Sequence, residues 1–154
     1  EQEFVICGQG DPKPYLTEPN ITYQPPLVGR ERSAFLGNAK SLIQPSVFIE
    51  PFCGAAVEGM LCGTPVISTP FGAFTETIED QRTGYRCHTL GDFVEALKSC
   101  GDLNRHYIAA RARNLYGFKR VGAMYHRAFQ QIDALRGKGW YDLTPTFTQE
   151  ADYA

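Results

Sequence analysis

The chain has 154 residues, 43% of them hydrophobic and 21% charged, with a formal net charge of −2. This is the size of one ordinary domain with enough apolar material to form a core, which excludes a chain too polar to fold. The slight acidic balance argues against a general nucleic-acid binder, whose face is basic, although local basic groups could still hold a phosphate.

Strand-like and helix-like stretches alternate along the chain. Phe4–Cys7 is a short apolar run ending at Gly8-Gln9-Gly10, and Ile21–Tyr23 is a second β-prone run closed by Pro25-Pro26. Residues 31–40 read as a helix with Ala34, Phe35 and Ala39 on one face. Residues 41–44 are strand-like and stop at Pro45. Residues 54–62 are helical in composition and end at Gly63, a common helix stop. Residues 65–68 form a buried-type strand, 75–80 a short helix and 84–87 another strand. Asp92 is the expected cap of a helix carrying Phe93, Leu97 and Cys100. Ile108, Ala112 and Leu115 mark a further helix. Val121, Tyr125, Ala128, Ile132 and Leu135 mark a last one by their i, i+4, i+7 spacing. The tail from Gly137 is aromatic and irregular. The domain is therefore expected to span 1–136, with 137–154 as a tail.

Five cysteines, an odd number with no CxxC pair, predict reduced and mostly buried thiols rather than a disulfide framework or a zinc site. No apolar run approaches the ~20 residues of a membrane span, and no signal peptide is seen, so a cytoplasmic location is expected. With no initiator Met, the chain reads as a fragment or a processed domain.

Short apolar strands separated by helices predict an α/β fold: a Rossmann-like three-layer sandwich with a mainly parallel sheet covered on both faces and a helical C-terminal third. Ligands of such sheets bind at the carboxyl ends of the strands. That rule selects three loops, 8–10, 45–54 and 69–72, and predicts that they share one edge.

The loop ending at Gly54 leads straight into a helix, whose unpaired N–H groups and positive dipole end suit a phosphate. Glu50 precedes that helix and Glu58 lies about one turn inside it. A carboxylate accepts hydrogen bonds from two vicinal hydroxyls, so each glutamate suits a sugar diol. On spacing alone, a turn glutamate and a glutamate on an exposed helix face are the commoner reading, since two glutamates eight apart often occur by chance.

The wider pattern, Glu50-Pro51-Phe52-Cys53-Gly54 followed by Glu58-Gly59-Met60-Leu61-Cys62-Gly63-Thr64-Pro65-Val66-Ile67, resembles the signature of the group 1 retaining glycosyltransferases (family 4, GT-B fold). That signature reads E-P-F-G, with seven residues between the two glutamates, then E-A-M-A-C-G-x-P-V-I. Gly72–Glu76 resembles the family's G-G-x-x-E, and Glu79-Asp80 with Thr83-Gly84 its E-D-G-x-T-G. Phe4–Gly10 and residues 121–132 resemble its first strand and last helix. The likeness covers roughly residues 3–136, the C-terminal donor-binding domain.

The resemblance implies roles for residues. Glu50 would contact the transferred sugar, as the catalytic glutamate, and Glu58 the ribose. The amides of Phe52, Cys53 and Gly54 would face the sugar and diphosphate. Leu27 and Arg32 would lie by the base, and Gly10 by the phosphates. The donor would be a nucleotide-diphospho-sugar, the product a retained glycoside of an unspecified acceptor. Neither a cofactor nor a metal ion is expected. The partner would be an N-terminal acceptor-binding domain, without which the chain should be inactive. The alternative is a non-catalytic nucleotide-sugar-binding module or subunit of the same fold; a sugar-nucleotide epimerase ranks last.

Departures from the signature are Cys53, placed one position before the family glycine, Gly59 and Leu61 in place of alanines, and Lys40 in place of a common Asp. Gly59 should weaken its helix by about 1 kcal/mol relative to alanine. The scattered His88, His106 and His126 read as surface residues. Arg111, Arg113, Lys119 and Arg120 read as a solvated helix face, or as a peripheral contact with anionic lipid. Trp140 and Tyr141 read as residues that pack on the second domain.

Overall fold

The fold is known from a computed structural model, in which residues 2–135 are described. Five strands and six helices alternate: β1 (Phe4–Cys7), β2 (Ile21–Gln24), α1 (Gly29–Asn38), β3 (Leu42–Gln44), α2 (Gly54–Leu61), β4 (Val66–Ser68), α3 (Phe74–Thr77), β5 (Gly84–Arg86), α4 (Leu90–Ser99), α5 (Arg105–Tyr116) and α6 (Phe118–Ala134). Every strand pairing is parallel. The expected parallel sheet is present in two pieces, β1–β2 and the ladder β3–β4–β5. In the second piece Ile43 lies opposite Ile67, and Ile67 opposite Tyr85.

The three-layer reading holds, and β4 shows why. All three of its residues are fully buried, and successive side chains of a strand point to opposite faces. Val66 faces α2, α3 and α5 in a core of Ala56, Val57, Met60, Phe74, Ile78, Ile108 and Ala112. Ile67 faces α4 in a second core with Cys87, Ala96 and Cys100, flanked by Tyr85, Phe93 and Leu97. Burying each large aliphatic side chain contributes about 1.5–3 kcal/mol. The β4–β5 ladder depends on Gly84, because a Cβ there would overlap the Val66 carbonyl oxygen.

Several element details depart from expectation. In α1 the buried residue is Leu36, with Phe35 half-buried and Ala34 exposed. The helix stops at Asn38 because the groups gathered at its end, described below, fix its last carbonyls. Helix α3 covers only residues 74–77; Ile78 turns extended and buries its side chain. Thr83 holds the following segment, accepting a hydrogen bond from the Glu79 amide at 2.9 Å. The N-cap of α4 is Thr89, not Asp92. Asp92 is the third residue of the helix and closes a capping box back onto the Thr89 amide. Its carboxyl is held low by the amides of His88 and Thr89.

Helix α6 forms as expected, but its apolar stripe does not reach the core. Val121 and Leu135 are half-buried, while Tyr125, Ala128 and Ile132 are exposed. Trp140, Tyr141 and the tail from 137 lie outside the described residues. No helix among the described residues is long and apolar enough to cross a membrane.

Candidate functional site

The loop between β3 and α2 is held open by contacts that begin at Glu50. Its Oε1 accepts the Cys53 amide at 3.0 Å, and Oε2 accepts the Ser46 hydroxyl at 3.4 Å. The Glu50 carbonyl accepts the Ala73 amide at 2.8 Å. Gly72 makes that approach feasible, since a Cβ at its φ of +64° would overlap the backbone of Glu50. Thr69 donates its hydroxyl to the Ser46 carbonyl. The loops after β3 and β4 therefore form one rim, as the strand-end rule required. The 8–10 loop follows β1 on the other sheet piece. Among the described residues no hydrogen bond joins it to that rim.

Cys53 is the N-cap of α2 and adopts the left-handed conformation, φ 59° and ψ 75°. Such a residue other than glycine costs about 1–2 kcal/mol. Counted from Glu50, Cys53 is fourth, the place of glycine in E-P-F-G, so it occupies the family glycine's position rather than preceding it. Its thiol is half-buried and its pKa is raised, first by burial, against the helix-start amides of Ala56 and Ala55. Its own amide is directed at Glu50, not outward. Gly54, the first residue of α2, is exposed with nothing near its Cβ position, which leaves the helix start accessible. The Phe52 ring lies edge-on against Tyr116 of α5, centroids 6.0 Å apart.

Glu58 lies on α2, its side chain 39% exposed, and pairs with Arg32 of α1 at 2.8 Å. Two residues that the resemblance assigned to one nucleotide are thus adjacent in the fold, though 26 positions apart in the chain. Leu27 is half-buried in the segment leading to α1, and Gly10, with φ +109°, is exposed in its turn. Gly59 does more than weaken a helix. It is buried, and a Cβ on it would stand 3.0 Å from Leu42 Cδ2, so it seats α2 closely on β3.

Sequence reasoning missed Ser46, Thr69 and Ala73, whose roles arise from contacts between loops. It also misplaced Arg111. That side chain pairs with Glu79 at 3.0 Å and is only 26% exposed, so it does not belong to a freely solvated face. Glu79 gathers Arg82, Arg111 and the Tyr107 hydroxyl, the last at 2.7 Å. The three histidines are exposed as expected. Of the thiols, Cys87 and Cys100 are buried, Cys53 and Cys62 intermediate, and Cys7 exposed, so burial is less general than the sequence suggested. No group of His, Cys, Asp or Glu with metal-ligand spacing occurs among the described residues.

A family model described as "Glycosyl transferases group 1" matches residues 1–101. The chain belongs to the group 1 glycosyltransferase family. It is 30% identical over 120 residues to a D-inositol 3-phosphate glycosyltransferase of Paenarthrobacter aurescens, covering 72% of this chain and 29% of that protein. Its likeness to the protein of the same name from an Arthrobacter species is 32% over 130 residues, 75% of this chain and 30% of the other. The chain thus spans about 30% of the length of these relatives. Among solved structures, the sucrose-phosphate synthase of Thermosynechococcus elongatus superposes with a TM-score of 0.70 at 20% identity, covering 80% of this chain and 33% of the other. Anabaena HepE, solved with UDP and glucose, superposes at 0.72 with 15% identity, covering 83% and 40%. These likenesses establish the fold, that of GT-B glycosyltransferases.

Proposed function

We propose that this group 1 glycosyltransferase chain is the donor-binding half of a two-domain retaining enzyme, and that it holds a nucleotide-diphospho-sugar between Glu50 and Glu58. The observation that carries this reading is the accessible start of α2 at Gly54, bracketed by the two carboxylates. An anionic diphosphate at that helix start meets the positive dipole end beside Gly54, the first residue of α2. Glu58 accepts hydrogen bonds from the ribose diol and Glu50 from hydroxyls of the hexosyl group. As the anomeric bond breaks through an oxocarbenium-like state, negative charge grows on the diphosphate, where the oriented amides stabilise it without reorganising. The acceptor wall is supplied by a second domain, so the chain alone binds donor weakly and turns over nothing.

Because HepE was solved with UDP and with UDP-glucose, UDP is the first nucleoside diphosphate to test, with GDP and ADP beside it. Calorimetric titration of the 154-residue chain should give a millimolar-range dissociation constant for one of the three. Glu58→Ala should weaken it by about ten- to a hundredfold, the loss of charge-assisted hydrogen bonds worth ~1.5–3 kcal/mol. Absence of binding to all three, with Glu58→Ala indistinguishable from the parent chain, would overturn the proposal.

A further inference from the structure

Glu50 follows three residues that do little to place it. Val47, Phe48 and Ile49 are 87%, 59% and 82% exposed. Among the described residues none of the three takes part in a hydrogen bond. The place of the Glu50 side chain is therefore set by what holds the loop on either side of this stretch.

Upstream of it, the Ser46 carbonyl accepts the Thr69 hydroxyl at 2.5 Å. Thr69 follows directly on β4, whose three residues are fully buried, and is itself only 9% exposed. The donor is thus anchored in the core, and it fixes the backbone of Ser46. From that point the Ser46 hydroxyl reaches Glu50 Oε2 at 3.4 Å. Downstream, the left-handed conformation of Cys53 turns its amide onto Glu50 Oε1 at 3.0 Å. The Ala73 amide meanwhile holds the Glu50 carbonyl at 2.8 Å. Both loops of the rim therefore contribute to one carboxylate.

An ionised carboxylate offers about four acceptor sites. The Cys53 amide and the Ser46 hydroxyl take one each, on different oxygens. Each oxygen keeps room for an incoming hydroxyl. The Ser46 contact is long for a hydroxyl donor, as hydrogen bonds of reactive groups commonly are before substrate tightens them. A glutamate left free would have to be ordered on binding, at a cost in affinity. The donors around Glu50 order it beforehand. Glu58 is held separately, by Arg32 of α1, so loosening Glu50 leaves the second carboxylate in place.

We propose that Ser46 and Thr69 are positioning residues for Glu50. Ser46 orients the carboxylate directly, and Thr69 does so through the Ser46 backbone. The pair thereby sets affinity for the sugar of the donor and not for its nucleotide. The proposal rests on the assignment of Glu50 to the donor sugar.

Two measurements on the 154-residue chain test it. The first needs no ligand. The Cys53 amide reports on Glu50, because its acceptor is Oε1. Ser46→Ala should speed exchange of that amide by at least about fivefold, with the amides of β4 unchanged, as expected for a local opening. The second measurement is calorimetric titration with three pairs: UDP-glucose and UDP, GDP-mannose and GDP, ADP-glucose and ADP. For the pair that binds the parent chain most tightly, Ser46→Ala and Thr69→Val should each weaken the sugar nucleotide about tenfold and leave the nucleoside diphosphate within about twofold, the loss of an orienting bond to a charged group. Thr69→Ser, which keeps the hydroxyl, should restore the parent affinity. Ser46→Ala removes a single half-buried hydroxyl, so the test stands even where Thr69→Val does not fold. Unchanged Cys53 exchange in Ser46→Ala would overturn the proposal. So would unchanged affinity for the sugar nucleotide, or an equal loss for both members of the pair. With no binding of any ligand the donor-binding reading falls, and Cys53 exchange alone then upholds or overturns the positioning of Glu50.

Discussion

Gly72 illustrates how a single hydrogen atom in place of a side chain supports the site. At φ +64° and against the Glu50 backbone it has room for nothing larger. Gly72→Ala should cost about 2–4 kcal/mol, from the left-handed strain together with displacement of the Glu50 loop. It should also abolish nucleoside diphosphate binding at concentrations that saturate the parent chain. Chemical denaturation and titration measure the two effects, and an unchanged stability would refute the clamp. Thiol chemistry at the same scale follows burial. Cys87 is 1% exposed, and burial, then the nearby Asp92 and Asp80, push its pKa up to about 11. At neutral pH it is therefore a protonated, inaccessible thiol. A maleimide reagent should modify exposed Cys7 within minutes and leave Cys87 untouched until the chain unfolds. Mass spectrometry of the labelled peptides would detect early labelling of Cys87, contrary to this expectation.

Among the elements, α1 and α2 carry the paired Arg32 and Glu58, and their mutual placement is set at their far ends. Arg105, the first residue of α5, donates to the carbonyls of Ala39 and Gly37 at 2.9 and 2.6 Å and to the Thr64 hydroxyl at 3.1 Å. Thr64 in turn donates to the Leu36 carbonyl at 2.6 Å. These bonds satisfy the last carbonyls of α1, which have no partner within the helix. Arg105→Ala should destabilise the fold by about 2–3 kcal/mol, because it leaves carbonyls at the helix end without donors. Arg105→Lys should recover only part of the loss, since one ammonium cannot reproduce the guanidinium fork. Urea unfolding midpoints of the three proteins provide the check; a lysine variant equal to the parent would contradict the bidentate role.

Across the whole molecule, Glu79 ties the segment before β5 to α5. Its carboxyl is held below the usual range first by the Tyr107 hydroxyl, then by Arg82 and Arg111, with partial burial opposing them. Because the folded-state pKa lies below that of the unfolded chain, about 4.3, the contribution is fully present above that pH. It is lost as pH falls from there through the folded-state value. Glu79→Gln should therefore lower stability at pH 7 and flatten the acid limb of the stability curve below about pH 5. Parallel acid limbs for variant and parent would show that Glu79 does not couple folding to protonation.

How much of this was legible beforehand depends on the range of the interaction. Strands, helices and the strand-end loops follow from local apolar runs, glycines and prolines, because periodicity reflects which face each residue buries. The placement of Glu50 before α2 and of Glu58 within it was readable for the same reason, since both lie in one continuous loop–helix segment; their reading as a pair came from the resemblance. The Gly72 clamp on Glu50, the Arg32–Glu58 pair, the Arg105 tie to α1 and the capture of Arg111 by Glu79 were not readable. Each joins residues distant in sequence, and no local pattern records which loops and helix ends meet. The division of the sheet into two pieces is likewise absent from any single segment. Whether neighbouring strands pair is decided by what lies between their edges, and that is a property of the assembled chain. The sequence by itself determined the elements, the layer order and the two carboxylates. Tertiary structure alone decided how the carboxylates are held and where the sheet remains open.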